Sequence, residues 1–233
     1  MKSMNRRGFF SGAAASLAVL VSPTVSAQDA RLLDPSDWKM AAFDQLIKHH
    51  YEVKQLFDVT EVDDGSVFFH MLNCLEGLQV GFGIANDKIK IVGALRAKAT
   101  VMNFNDSLWE KYKLGESLKI NDPQTGKPAT RNIFYAGSTG GAANHGHKGA
   151  RHGDPAEEDS SIRTLQARGV QLLACHMAIR GQSGFLAKKF KLKQEDVLND
   201  LQGNLLPGVL IVPSGVSAIA VLESKGHFGY LRM

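Results

Sequence analysis

Cysteine is scarce in this chain: Cys74 and Cys175 are the only two in 233 residues. That count excludes a CxxC zinc site and a CxxC redox pair, and it leaves one disulfide, Cys74–Cys175, open in an oxidising compartment. Also missing is any run of Lys and Arg interleaved with aromatics, which argues against nucleic-acid binding. The formal charge of +4 does not reverse this, because residues 1–27 carry Lys2, Arg6 and Arg7 and no acid. Without them, 24 basic residues face 23 acidic ones, a net of +1. No self-similarity recurs at periods of about 20 to 50 residues, so a repeat architecture is excluded. Gly81-Phe-Gly83 is not a dinucleotide fingerprint, since it follows a helical pattern and lacks a third glycine.

What is there reads as one globular domain behind an export signal. Hydrophobic residues make up 44% of the chain and charged residues 21%, a balance that supports a real core. Residues 5–10 read Asn5-Arg6-Arg7-Gly8-Phe9-Phe10, which resembles the twin-arginine (Tat) export motif. An Ala-rich run from Ser11 to Val21 follows, too short and too mild to span a bilayer. Val25-Ser26-Ala27 then fits a signal-peptidase site. An amphipathic helix or a mitochondrial presequence does not account for an arginine pair set directly before two phenylalanines. The reading is a Tat signal over 1–27, a partner translocase during export, a periplasmic mature chain over 28–233, and no stable membrane insertion after processing.

Apolar spacing predicts a helix from Trp38 to Val53 and a strand from Val53 to Val62. Asp63-Asp64-Gly65-Ser66 reads as a turn that caps a helix running to Phe82. Lys88 to Leu95 reads as a second strand, and Asn105-Asp106-Ser107 starts a short helix. Residues 121–158 are rich in Gly, Pro, His and Asp and read as a long loop. Asp159-Ser160-Ser161 caps a helix ending at Gly169. Val170 to Cys175 is a near-continuous apolar run, the mark of a central strand covered on both faces. Helical segments lie around 185–190 and 194–201. Val209 to Val212 is a fourth strand, Pro213-Ser214-Gly215 opens a helix through Leu222, and Phe228 to Leu231 is a fifth strand. This alternation predicts an α/β fold with a mostly parallel sheet of about five strands and helices on both faces.

Cys175 carries the sharpest chemistry. It stands where a buried strand ends and a helix begins, the place where open α/β sheets gather their ligands. Backbone N–H groups at a helix N-terminus stabilise a thiolate, and His176 and Arg180 would add positive charge; a buried core thiol is the plain alternative. Ser214 and Gly215 read either as a small anion cradle beside Cys175 or as a simple strand-to-helix turn. His145, His147 and His152, with Asp154, fall within ten residues and could hold copper or zinc. Cys74 shares an apolar helix face with Met71 and Leu78 and reads as core, whereas His49, His50 and His70 read as surface.

Three C-terminal segments resemble the DsrE/DsrF-like family. They are Leu172-Leu-Ala-Cys175-His-Met-Ala-Ile-Arg180-Gly181, then Asn204-Leu-Leu-Pro207-Gly-Val with Val212-Pro213-Ser214-Gly215-Val216, and finally Gly226-His-Phe-Gly-Tyr230. Phe57-Asp58, the helix 68–82 and Asn105-Asp106-Ser107-Leu108-Trp109 are similar to its exported branch. The resemblance implies a three-layer DsrE-like fold, a homo-oligomer, no cofactor, and a cysteine at 175 that carries a persulfide as a sulfur carrier or sulfurtransferase. Its partners would be small sulfur species or a sulfur-carrier protein. Relatives usually have a His-Gly step after the second strand. This chain has Leu95-Arg96-Ala97-Lys98 there, which leaves Arg96 or Lys98 to act as the anion-binding group. A non-catalytic binding or assembly module of the same fold, and metal handling by the His loop, are the competing readings.

Overall fold

The computed structural model describes Trp38, residues 40–136 and residues 159–233. The first helix, α1 (Ala41–Lys48), buries Phe43 and Leu46 and is shorter than the apolar spacing suggests. It stops at His49, whose extended backbone leads into strand β1 (Val53–Val59). The strand ends three residues before Val62. There the Arg96 and Ala99 N–H groups bond to the Val59 and Thr60 carbonyls, and a 3₁₀ segment takes over the pairing.

Helix α2 (Ser66–Glu76) follows a turn at Gly65, which has φ +80. A β-carbon at that glycine would lie 2.6 Å from a Phe134 ring carbon, so both conformation and space require glycine there. The helix gives way to a π turn over Gly77–Gly81, and the predicted continuous helix to Phe82 is thus widened between two glycines. Strand β2 (Ile89–Leu95) runs into the 3₁₀ segment Ala97–Asn103, which the sequence pattern did not announce. Helices α3 (Asp106–Lys111), α4 (Leu114–Leu118) and α5 (Ile162–Ala167) follow. Strand β3 (Gln171–Cys175) passes directly into α6 (His176–Phe190), so the helix start expected after Cys175 and the helical segment around 185–190 are one continuous helix. Helix α7 (Gln194–Gly203), strand β4 (Leu210–Val212), helix α8 (Gly215–Ser224) and strand β5 (Gly229–Arg232) complete the chain.

The five strands form one sheet in the order β4-β3-β2-β1-β5, and every pairing is parallel. Side chains alternate across it, as the pleat requires. Phe57, Val59, Ile91, Leu95, Leu172 and Ala174 join a core with α2, α5, α6 and α7. Leu56, Val92, Ala94, Leu173 and Val212 join a second core with α1 and α8. The α/β architecture with helices on both faces is as the alternation predicted.

The predicted loop 121–158 is described as far as residue 136, and that part is packed. Arg131 clamps the buried Asp122 with two hydrogen bonds of 2.7 and 3.0 Å, and Asn132 donates to the Met102 and Phe104 carbonyls. Ile133 and Phe134 sit in the larger core. The segment has no apolar period because turns, an isolated bridge and side-chain hydrogen bonds, rather than a helix or strand, satisfy its backbone.

Candidate functional site

The connection after β3 places α6 on one face of the sheet, and the connection after β4 places α8 on the other. Adjacent strands whose exits diverge in this way open a crevice between their carboxyl ends, where α/β proteins bind ligands. Cys175 ends β3 and pairs with Val212 of β4 in register. That switch point falls on the cysteine that the sequence singled out.

Strand alternation aims Cys175 at α8: it lies two residues beyond Leu173, which faces that helix. Its Sγ accepts a 3.2 Å hydrogen bond from the Gly215 N–H, the first residue of α8. Cys175 is also the N-cap residue of α6. The N-terminus of α8, which has no acidic residue in its first turn, thus meets the sulfur, whereas the Cys175 side chain makes no cap bond to α6; the N–H groups of such a helix start are suited to hold an anion. The residue is 7% exposed and belongs to neither hydrophobic cluster. Both cysteines are free thiols. Cys74 is half-buried against the larger core, and burial pushes its thiol up from the ordinary range.

Arg96 and Asp58 reach the same face by the same alternation, two residues beyond Ala94 and Leu56. Arg96 Nε and Nη2 donate to the two Asp58 carboxylate oxygens at 2.6 and 2.8 Å, a bidentate pair. Tyr230 of β5 donates to Asp58 Oδ2 at 2.8 Å. Burial opposes ionisation of Asp58, but the hydrogen bonds from Arg96 and Tyr230 and the charges of Arg96 and Arg232 hold its carboxyl below the usual range. A β-carbon at Gly215 would lie 3.1 Å from Arg96 Cβ and 3.2 Å from Cys175 Cβ. Arginine stem and cysteine therefore both pack against the helix start, and glycine is what permits it.

Ser214 caps α8, its side chain accepting from the Ser217 N–H, so the simple-turn reading describes Ser214. Gly215 does more than turn, because its N–H is spent on the sulfur. Lys98 pairs with Glu61 on the exposed surface, which leaves Arg96 as the cation of this step. Ala97 beside it has φ +51, a left-handed conformation that costs a non-glycine residue roughly 1–2 kcal/mol.

His176 corrects the expectation of positive charge next to the thiol. Its ring turns away, edge-on to Trp38 at 5.2 Å, with Gln202 Nε2 3.0 Å from its Nδ1. Burial and then the Arg180 charge push its pKa below the ordinary histidine range, so it is neutral near pH 7. Arg180 itself is exposed on α6. His145, His147, His152 and Asp154 lie outside the described residues; among the described residues no group of His, Cys, Asp and Glu could hold a metal. His49, His50 and His70 are exposed, as read from the pattern.

Asp58 and Tyr230 had no assigned role in the sequence reading. The available signal for Asp58 was a lone carboxylate at the carboxyl end of a strand otherwise ending in Leu, Phe and Val. A cavity of about 330 Å³ between α1 and α8, lined by Met40, Phe43, Asp44, Ile47, Lys48, Val221 and Lys225, lies toward the far end of α8, apart from Cys175. No family model, no curated protein and no solved structure matches the chain.

Proposed function

We propose that the protein is a periplasmic sulfur carrier or sulfurtransferase that holds sulfane sulfur on Cys175. The observation that supports this best is the Cys175 sulfur accepting the Gly215 N–H where α6 and α8 both begin. A thiolate is the nucleophile in such chemistry, and a hydrogen bond to the charged form favours it. In the proposed step the Cys175 thiolate attacks the outer sulfur of a donor R–S–S⁻. A Cys175 S–S bond forms, the donor's S–S bond breaks, and R–S⁻ leaves with the electron pair. Cys175–S–S⁻ then gives its outer sulfur to an acceptor thiolate in the same way. The persulfide retains a negative charge, which suits a site with a helix N-terminus at the sulfur and a guanidinium nearby.

The reading also rests on the resemblance of the segments around Cys175 and Ser214-Gly215 to the DsrE-like pattern, and the location on Arg6-Arg7. That resemblance also proposes a homo-oligomer in which a small sulfur species or a carrier protein meets the crevice. A second reading, a binding or assembly module without turnover, is favoured by one observation: Cys175 is only 7% exposed.

Intact-mass measurement after incubation with a sulfane donor tests the first reading. Wild type and Cys74→Ala should each gain sulfur, and Cys175→Ala should gain none. Uptake by Cys175→Ala equal to wild type would sink the assignment. A native thiol titration in which Cys175 reacts only after denaturation would establish the second reading instead.

A further inference from the structure

Arg96 is more than half of an ion pair. Its side chain is 24% exposed, while its partner Asp58 is 1% exposed. An ionised carboxylate taken so far from water is costly until its partners compensate it, and here two elements converge to do so. Arg96 comes from the end of β2 and Tyr230 from β5, the latter strand held alongside by the Met233 N–H on the Asp58 backbone carbonyl. A guanidinium has five N–H donors in a rigid fork. Two of them are fixed on Asp58, and among the described residues Nη1 has no partner. The clamp therefore immobilises a cation whose stem lies beside Gly215 and whose charge, held on Asp58, interacts with Cys175. Arg232 adds a second positive charge toward the same carboxylate, so the local balance stays positive.

From this geometry we infer that Arg96 sets the selectivity of the Cys175 site for sulfur compounds bearing negative charge next to the reacting sulfur, and that Asp58 and Tyr230 are the residues that position it. The inference rests on the reading of Cys175 as the reactive sulfur. It commits the donor class to small anions and assigns the C-terminal strand a part in the site. A neutral donor gains nothing from a fixed guanidinium, whereas an anion approaching within a few ångströms gains a charge-assisted contact that needs no rearrangement.

The test compares two thiol reagents of like size, one anionic and one neutral, in a Cys74→Ala background. The rates of Cys175 modification by iodoacetate and by iodoacetamide are measured, and their ratio is taken. Arg96→Met should lower that ratio by about tenfold, and Arg96→Lys by less, since it keeps the charge but not the fork. Tyr230→Phe should lower it about twofold. Asp58→Asn should also lower it, because the guanidinium is freed; a rise in that variant would show that only net charge matters and would overturn the positioning role. A ratio unmoved in folded Arg96→Met would overturn the whole inference. Alkylation does not need sulfur transfer, so the two ideas fail separately. Persulfide uptake with an unmoved ratio removes only this inference, and a moved ratio without uptake removes only the carrier reading.

Discussion

His176 shows how a residue adjacent in sequence to a reactive group can serve the fold instead. Its neighbours in space are Trp38 and Gln202, and burial holds its imidazole neutral. A histidine with a depressed folded pKa binds fewer protons folded than unfolded. Stability is therefore complete above the unfolded value of about 6.5 and declines as pH falls toward the folded value. The urea midpoint should drop between about pH 8 and about pH 5, and His176→Gln should remove that part of the drop. An unchanged pH slope in the variant would show that the imidazole contributes nothing. The carboxylates Asp58, Asp122 and Asp200 are depressed as well, and their contributions are lost at lower pH, as it falls through their folded values. The sequence marked Cys175 because a strand pattern ended on it. It could not show that Arg96 would clamp Asp58, since 38 residues separate them and no local spacing pairs them.

Helix α8 is the element on which the site depends. Its start supplies both a cap and a hydrogen bond to sulfur, from successive residues. Ser214→Ala removes only the cap and should lower stability by about 1 kcal/mol, read as a urea midpoint, with Cys175 labelling unchanged. Gly215→Ala forces a β-carbon between Arg96 and Cys175 and should cost roughly 1–3 kcal/mol while also altering the labelling rate. Equal labelling in both variants would separate α8 from the chemistry. Element positions were largely legible: all five strands fall where the apolar runs place them, within a few residues. The segments that escaped were those held by tertiary bonds. The 3₁₀ segment Ala97–Asn103 is fixed by the Thr100 hydroxyl on the Leu95 carbonyl, and 121–136 by Asp122 and Asn132. Neither has the period that a lone helix or strand imprints on its sequence.

The whole molecule joins two readings that rest on different parts of the chain. Among the described residues no helix is long and apolar enough to cross a membrane. We propose export on the twin arginines, and replacing both, Arg6→Lys with Arg7→Lys, should move the protein from the periplasmic to the cytoplasmic fraction. Periplasmic recovery at the wild-type level would refute that route. The domain's parallel sheet has a further consequence for the site. Strand order β4-β3-β2-β1-β5 brings the last strand beside the first, so Tyr230 meets Asp58 across 172 residues.

By itself the sequence determined the α/β class, the strand positions and the cysteine at a strand's carboxyl end, because apolar period and helix-start signals act over a few residues. The tertiary structure alone decided that β3 and β4 lie side by side with helices leaving to opposite faces. It also decided that burial depresses His176, while Arg96, clamped on Asp58, keeps a charge that interacts with Cys175. Which strands become neighbours, and to which face each helix leaves, is a long-range choice made by burial on both faces of the sheet, and no local pattern records it.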